Sequence, residues 1–432
     1  MFSWFGPLLA RLRHHPVRVL ALLLVGGAMS GFAAWQFYGA YHWRAARQSL
    51  ETRRFQDALT HLASCLQVWP RNRSVEVVFL AARTARRAGA YEQAQAYLAA
   101  CEELNAPKED LVLERALLRA QRGELGNNVE PLLLSFLAKE HPDKVLILEA
   151  LIQGYEHAFR LKEALRVANQ LLQLQPDHAQ ALVWRGWVWK RTHQPEKALQ
   201  DYRQALTLDP AFDVARLRLA ETLLADKLGP PEEAAEHFEV LCQRDPDNLA
   251  ALLGLARCRL LLNQPQEAGS LLDCILARNP NNELALIERG RLALSAGQAT
   301  EAEPLLRKAV RLTPSNRDAN YLFSQCLEQL DKKDEARTYA ARVERLDADF
   351  QRLDEAMKKA VEAPHDPARQ REVGLLLLEM GNDRQGLRWL FQALQLDPGH
   401  RPTHRSLADY YARVGDQARA AHHRKEADKP SP

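Results

Sequence analysis

ALVWRGWVWKRTHQPEKALQDYRQALTLDP, residues 181–210, holds two apolar-faced segments separated by a short polar stretch and closed by a proline. In its second half Ala198, Tyr202 and Ala205 are spaced four and then three apart, which is one face of an α-helix. Pro210 has counterparts at Pro176, Pro246, Pro280 and Pro314, separated by 34, 36, 34 and 34 residues. A fixed period of this size means stacked supersecondary units rather than independent domains. Ten residues after each proline stands a small residue (Gly186, Ala220, Ala256, Gly290, Ser324), where two helices must approach closely. Seventeen residues after it a breaker ends the first helix: Asn263, Gly297 and Asp331, and further along Gly381 and Gly415. The next proline stops the second helix.

This pattern resembles the tetratricopeptide repeat, a 34-residue antiparallel helix pair with small residues at these offsets and a closing proline. Pro142 extends the register backwards, and the residue pair that opens the second helix recurs from Asp57-Ala58 to Arg419-Ala420. The resemblance implies an all-α fold, a right-handed superhelical solenoid of about eleven helix pairs. It is strongest between residues 145 and 350 and weakest between 73 and 144. Ala348 stands where a proline is due, and sixteen extra residues precede Pro364, which restores the phase to Pro398. The extra segment either lengthens a helix or adds half a unit. KLGPPEE adds two residues before Ala234 and lengthens a turn.

Upstream of the repeats, Val19 to Trp43 contains no Lys, Arg, Asp or Glu, and its 25 residues suffice to cross a bilayer core as one helix. Arginines flank both ends, and Trp35, Phe37, Tyr38, Tyr41 and Trp43 cluster at the far end as an interfacial belt. A cleaved signal peptide is the competing reading, but apolar character continues ten residues past the small-residue site at Gly31-Phe32-Ala33. The expected organisation is a basic tail at 1–18, a transmembrane helix at 19–43, and a solenoid at 39–350 whose first helix continues the anchor. A helical insert at 351–366 and two further repeats with a tail at 367–432 follow. The chain is expected to be a single-pass membrane protein with its bulk outside the cytoplasm, because large C-terminal domains translocate regardless of charge.

The 432 residues carry 58 Lys+Arg against 55 Asp+Glu, and this balance does not ask for nucleic acid. No Walker loop, GxGxxG, HExxH or GxSxG is present, and the repeats leave no room for a catalytic domain, so no enzyme activity or cofactor is expected. The six cysteines form no CxxC pair and read as small packing residues. His400, His404, His422 and His423 have no acidic or sulfur partner at ligand spacing and read as exposed surface residues rather than metal ligands.

Binding is what a stack of helix pairs offers, through its concave inner face. In the tetratricopeptide family the ligand lies along the first helix of each pair. Carried through the register, that relation assigns Arg47, Arg83, Arg87, Arg119, Trp184, Trp187, Arg191, Arg218, Arg257 and Arg291 to a partner-binding groove. Tryptophan beside arginine is a favoured hot-spot combination. The expected partner is a protein or peptide, acidic by complementarity. The alternative is an anionic polymer held by the Arg-rich first repeats, where nine Arg but three acids lie between Arg44 and Arg87. The Lys and Asn pairs of the chaperone-binding members are absent.

Overall fold

The computed structural model describes residues 16–68, 75–226 and 228–429, with the side chains of residues 16–28, 30–33, Val68, Asn127 and Asp226 excepted. Within these residues the chain is helical throughout, with twenty-two helices and no strand. It divides into two compact units, residues 1–119 and 120–432.

The first unit contains α1 (Pro16–Glu51), α2 (Phe55–Val68), α3 (Val75–Arg87), α4 (Tyr91–Glu103) and most of α5 (Lys108–Gln121). One helix thus covers both the apolar run and the first repeat position. Among the described residues no helix is long and apolar enough to cross a membrane. The expected transmembrane segment at 19–43 therefore has no support from the fold, and most of its apolar side chains lie outside the described residues.

The second unit continues with α6 (Gly126–Ala138), α7 (Lys144–His157), α8 (Leu161–Leu174), α9 (Ala179–Arg191) and α10 (Pro195–Leu208). Then come α11 (Asp213–Asp226), α12 (Pro231–Arg244), α13 (Leu249–Leu261), α14 (Pro265–Arg278), α15 (Glu283–Ser295) and α16 (Ala299–Leu312). The last six are α17 (Arg317–Gln329), α18 (Lys333–Glu362), α19 (Pro367–Glu379), α20 (Asp383–Leu396), α21 (Arg401–Arg413) and α22 (Gln417–Ala427). Successive helices pack as antiparallel pairs, and the core is the row of small and apolar side chains between them, such as Ala198, Tyr202 and Ala205, all at most 1% exposed. The sixteen extra residues lengthen a helix: α18 has 30 residues where its counterparts have 14.

Each first helix starts and stops by local chemistry. Two residues after the closing proline, His178, Asn248, Asn282 and Asn316 accept a hydrogen bond from the backbone N–H three residues on, capping α9, α13, α15 and α17. Seventeen residues after the proline the backbone turns left-handed, with φ of 57° at Asn263, 73° at Gly297 and 56° at Asp331. Phe159 and His193 take the same conformation at φ 52° and 56°, without the residue type that announces it. The close approach ten residues after the proline is also real. A Cβ on Gly186 would lie 2.5 Å from Tyr202, and one on Gly290 2.6 Å from Leu306, so only glycine lets those side chains fill the gap.

All six cysteines are free, four of them buried. The histidine reading needs correction. His404 and His423 are 5% and 7% exposed, with their Nδ1 atoms 2.9 Å apart between α21 and α22. They occupy core positions of the helical period, and His423 stacks on Tyr411. Burial and the neighbouring imidazoles, His404 and His422, hold His423 below its ordinary pKa. Among the described residues no cluster of potential ligands could hold a metal ion.

Candidate functional site

The inner helices of the second unit form a groove of about 750 Å³ that runs from Lys190 at the end of α9, across α11 and α13, to Arg291 on α15. Its floor is apolar, from Leu224, Leu249, Leu253, Leu260, Leu261 and Leu284. Leu261 and Leu284 are 57% and 43% exposed, more than a monomeric helix needs to show water. Gly254 opens the groove at its centre, because a side chain there would meet Phe238 at 2.3 Å. The wall carries Glu221, Arg257, Glu288 and Arg291. Glu288 is buried and holds both arginines, at 2.8 Å from Arg257 and 3.2 Å from Arg291, while Asp318 lies 3.7 Å from Arg291. Three residues of the eleventh repeat position, Glu221, Arg257 and Arg291, therefore share one wall.

The remaining candidates from the sequence fall elsewhere. Arg218 pairs with Glu221 at 2.9 Å. Trp184 and Trp187 do not line the groove, and both are half-buried. Trp184 lies 6.3 Å from the ring of His178, which is fully buried and bonded through Nε2 to Glu149 at 2.9 Å. Because His178 Nδ1 accepts from the Ala181 amide, Nε2 is the nitrogen that carries the proton towards Glu149. Trp187 supports Arg191, whose guanidinium sits 4.7 Å from the Trp187 ring and 5.0 Å from the Phe159 ring.

In the first unit several arginines are paired with carboxylates. Glu114 on α5 is 2.7 Å from Arg83 and 2.9 Å from Arg86, and Arg86 and Glu114 are each 1% exposed. Arg115 pairs with Glu102, and Arg54 with Asp57. Arg87 packs over Phe55 at 4.2 Å. Arg47 and Arg119 are exposed. Counting charges between residues 44 and 87 missed Glu114, which a later repeat supplies.

Sequence reasoning also missed a contact between distant repeats of the second unit. Trp389 on α20 stacks on Phe159, at the α7–α8 corner, with centroids 4.6 Å apart. Arg388 donates to the His157 carbonyl at 3.0 Å, and Gln392 donates to the Ala158 carbonyl at 2.5 Å. His365, just before α19, lies 3.6 Å from Glu163 on α8. Beside this contact, Glu156 faces Arg191, Arg218 and Arg388. Burial nevertheless pushes its carboxyl up to about 7 against their pull. Burial and the Arg388 charge hold His157 down to about 4. No local signal announces Glu156 or Arg388, since their proximity depends on how many repeats separate them. Two groove positions had one: Ala250 and Leu284 stand four residues after their prolines, where the core does not use them.

Comparison with known proteins bears on the repeat fold. Tetratricopeptide repeat family models match residues 179–212, 227–287 and 293–360. No curated protein matches the sequence. Among solved structures, PilW, described as a widely conserved type IV pilus biogenesis factor, is similar at 22% identity, covering 46% of this chain and 91% of its own, with a TM-score of 0.42. YrrB, a repeat protein with an unusual peptide-binding site, is similar at 18% identity over 41% of this chain and 91% of its own, with a TM-score of 0.33. Human IFIT1, solved as a dimer with PPP-AAAA, is similar at 16% identity over 83% of this chain and 90% of its own, with a TM-score of 0.44. These likenesses speak to the fold alone. The chain contains tetratricopeptide repeats at residues 179–212, 227–287 and 293–360 within an all-α repeat solenoid, a fold that serves protein–protein interaction.

Proposed function

We propose that the chain is a membrane-anchored interaction scaffold that holds a peptide or protein partner in the groove between Lys190 and Arg291. The observation that carries this reading is the exposed apolar floor at Leu261 and Leu284, rimmed by charges that are already paired. Such a floor gains from covering by an apolar partner face, while the Arg257–Glu288–Arg291 cluster favours a register without itself needing a counter-ion.

Leu284→Gln and Leu261→Gln are expected to weaken capture of the partner by at least about tenfold while leaving thermal stability nearly unchanged, as both residues are exposed. The partner is first recovered by pull-down on residues 44–432, and the variants are then compared by titration with it. Unchanged affinity in both variants would place the partner elsewhere.

Anchoring rests on the sequence, on the uncharged run from Val19 to Trp43 and its aromatic far end. In this reading the repeats stand outside the cytoplasm, close to the lipid surface, in envelope assembly or secretion. The full chain should sediment with membranes through alkaline washing while residues 44–432 stay in the supernatant. Recovery of the full chain as free protein would refute the anchor, and protection of a labelled C-terminal cysteine in intact cells would reverse the orientation.

A further inference from the structure

Arg191 on α9 lies over the Phe159 ring at 5.0 Å and Arg388 on α20 donates to the His157 carbonyl at 3.0 Å, so both stand at the α7–α8 corner that carries Glu156, and Arg218 on α11 adds its charge to theirs on that carboxyl. Arg218 has Glu221 at 2.9 Å. Among the described residues Arg191 has only aromatic rings against it and Arg388 only the His157 carbonyl, with no carboxylate at ion-pair distance from either. All three guanidinium groups reach solvent. A ligand can therefore touch them beside the contact that α20 makes with the α7–α8 corner. The groove approaches the same place, because Glu221, the partner of Arg218, is part of its wall.

We infer that Arg191, Arg218 and Arg388, gathered around Glu156 by the return of α20 onto the α7–α8 corner, form a binding site for a carboxylate-rich segment of a peptide partner. The inference rests on the groove reading and deepens it, since the acidic segment would continue from the groove into this site. Three positive charges face two resident carboxyls, and two of the three lack an ion-pair partner, so the site is short of negative charge. Partial burial lowers the tendency of Arg191 and Arg388 to hold their protons. An incoming carboxylate restores the balance. The guanidinium fork accepts it in bidentate fashion, and the Trp187 and Phe159 rings keep Arg191 in place for it.

Proton uptake accompanies binding. The charged and titratable groups that act on Glu156 or on its neighbours are His157, Arg191, Asp201, Tyr202, Arg218, Glu221, Arg384 and Arg388. His157 is neutral well below pH 7 and burial raises Tyr202 far above it, so of these three Glu156 is the one that titrates near neutrality. A second carboxylate beside it favours its protonated form, and binding must then tighten as pH falls through about 7.

The test uses the full-length protein in detergent and a fluorescein-labelled hexaglutamate peptide, read by anisotropy at low salt. Arg388→Gln and Arg191→Gln should each weaken binding by about tenfold or more. Arg337→Gln, on the exposed face of α18, should leave it within about twofold. Wild-type affinity should rise about tenfold from pH 8 to pH 6, and Glu156→Gln should bind tightly at both. Thermal melts of the variants separate lost binding from lost fold, and Arg191→Gln, outside the backbone contacts of α20, serves if Arg388→Gln melts early. Equal losses in Arg337→Gln and the two site variants, or no loss in the latter, would overturn the site. Tighter binding of an oligonucleotide than of hexaglutamate through the same arginines would overturn the ligand class. Leu284→Gln should not change hexaglutamate binding, so failure of the groove and failure of this site read out separately.

Discussion

Glu114→Ala is expected to cost the first unit about 3 to 5 kcal/mol, enough to melt α3 to α5 near ambient temperature. Glu114 holds Arg83 at 2.7 Å and Arg86 at 2.9 Å, and its removal leaves two guanidinium groups without their shared carboxylate, one of them 1% exposed. A buried charge that loses its partner keeps its desolvation cost and loses its compensation, which is why breaking such a pair is far worse than never having built it. The same logic predicts partial rescue. Arg86→Met together with Glu114→Leu should regain most of the loss by replacing the ionic contact with packing, leaving Arg83, which is half-buried, to reach water. Urea unfolding of the three proteins, followed by helical ellipticity, checks both steps. A loss below about 1 kcal/mol for Glu114→Ala would mean that water compensates the arginines and that the cluster is not a structural support.

Arg83 and Arg86 also show where sequence reading stops. The period of 34, the small residues at Gly186 and Gly290, and the breakers at Gly297 and Gly415 are local, because each is imposed by one helix on its immediate neighbour. A left-handed residue is legible when it is glycine or asparagine and invisible when it is Phe159 or His193, where packing and the doubled backbone bonds of the helix end hold a bulkier residue in place. Charge is different in kind. Whether an arginine faces a ligand or a carboxylate depends on a residue one repeat away, and a count along the chain cannot see Glu114 beneath Arg86 or Glu288 between Arg257 and Arg291. The two tryptophans were placed on the correct helix but not in the groove. Trp187 holds the same eleventh position after its proline as Glu221, Arg257 and Arg291, yet the groove reaches α9 only at Lys190, one turn further along.

Trp389→Ala is expected to remove about 3 to 5 kcal/mol from the last repeats and to separate them from the α7–α8 corner. The indole is 3% exposed and packed by Ala356, Ala360, Val373 and Leu377 as well as by Phe159, so its loss leaves a cavity that helices already fixed by their neighbours cannot fill. In a repeat protein each unit touches only the next, and a local deletion normally weakens only adjacent units. Here the damage should appear at two places far apart in sequence. Hydrogen exchange should accelerate in α19 to α22 and, separately, at the start of α8, where the Phe159 face and the Gln392 and Arg388 bonds to residues 157 and 158 would be lost. Amides of α13 and α15, which lie between these places along the chain but not in the contact, should exchange as before. Phe159→Leu should loosen the same two regions more mildly, because it keeps an apolar contact but loses the stack. If exchange rises only in α19 to α22, the stack on Phe159 is incidental and the last repeats are held by their neighbours alone. If it rises at both places, the return of α20 is an energetic closure, and the spacing that makes it possible is set by the long α18, whose extra turns carry Ala356 and Ala360 to Trp389.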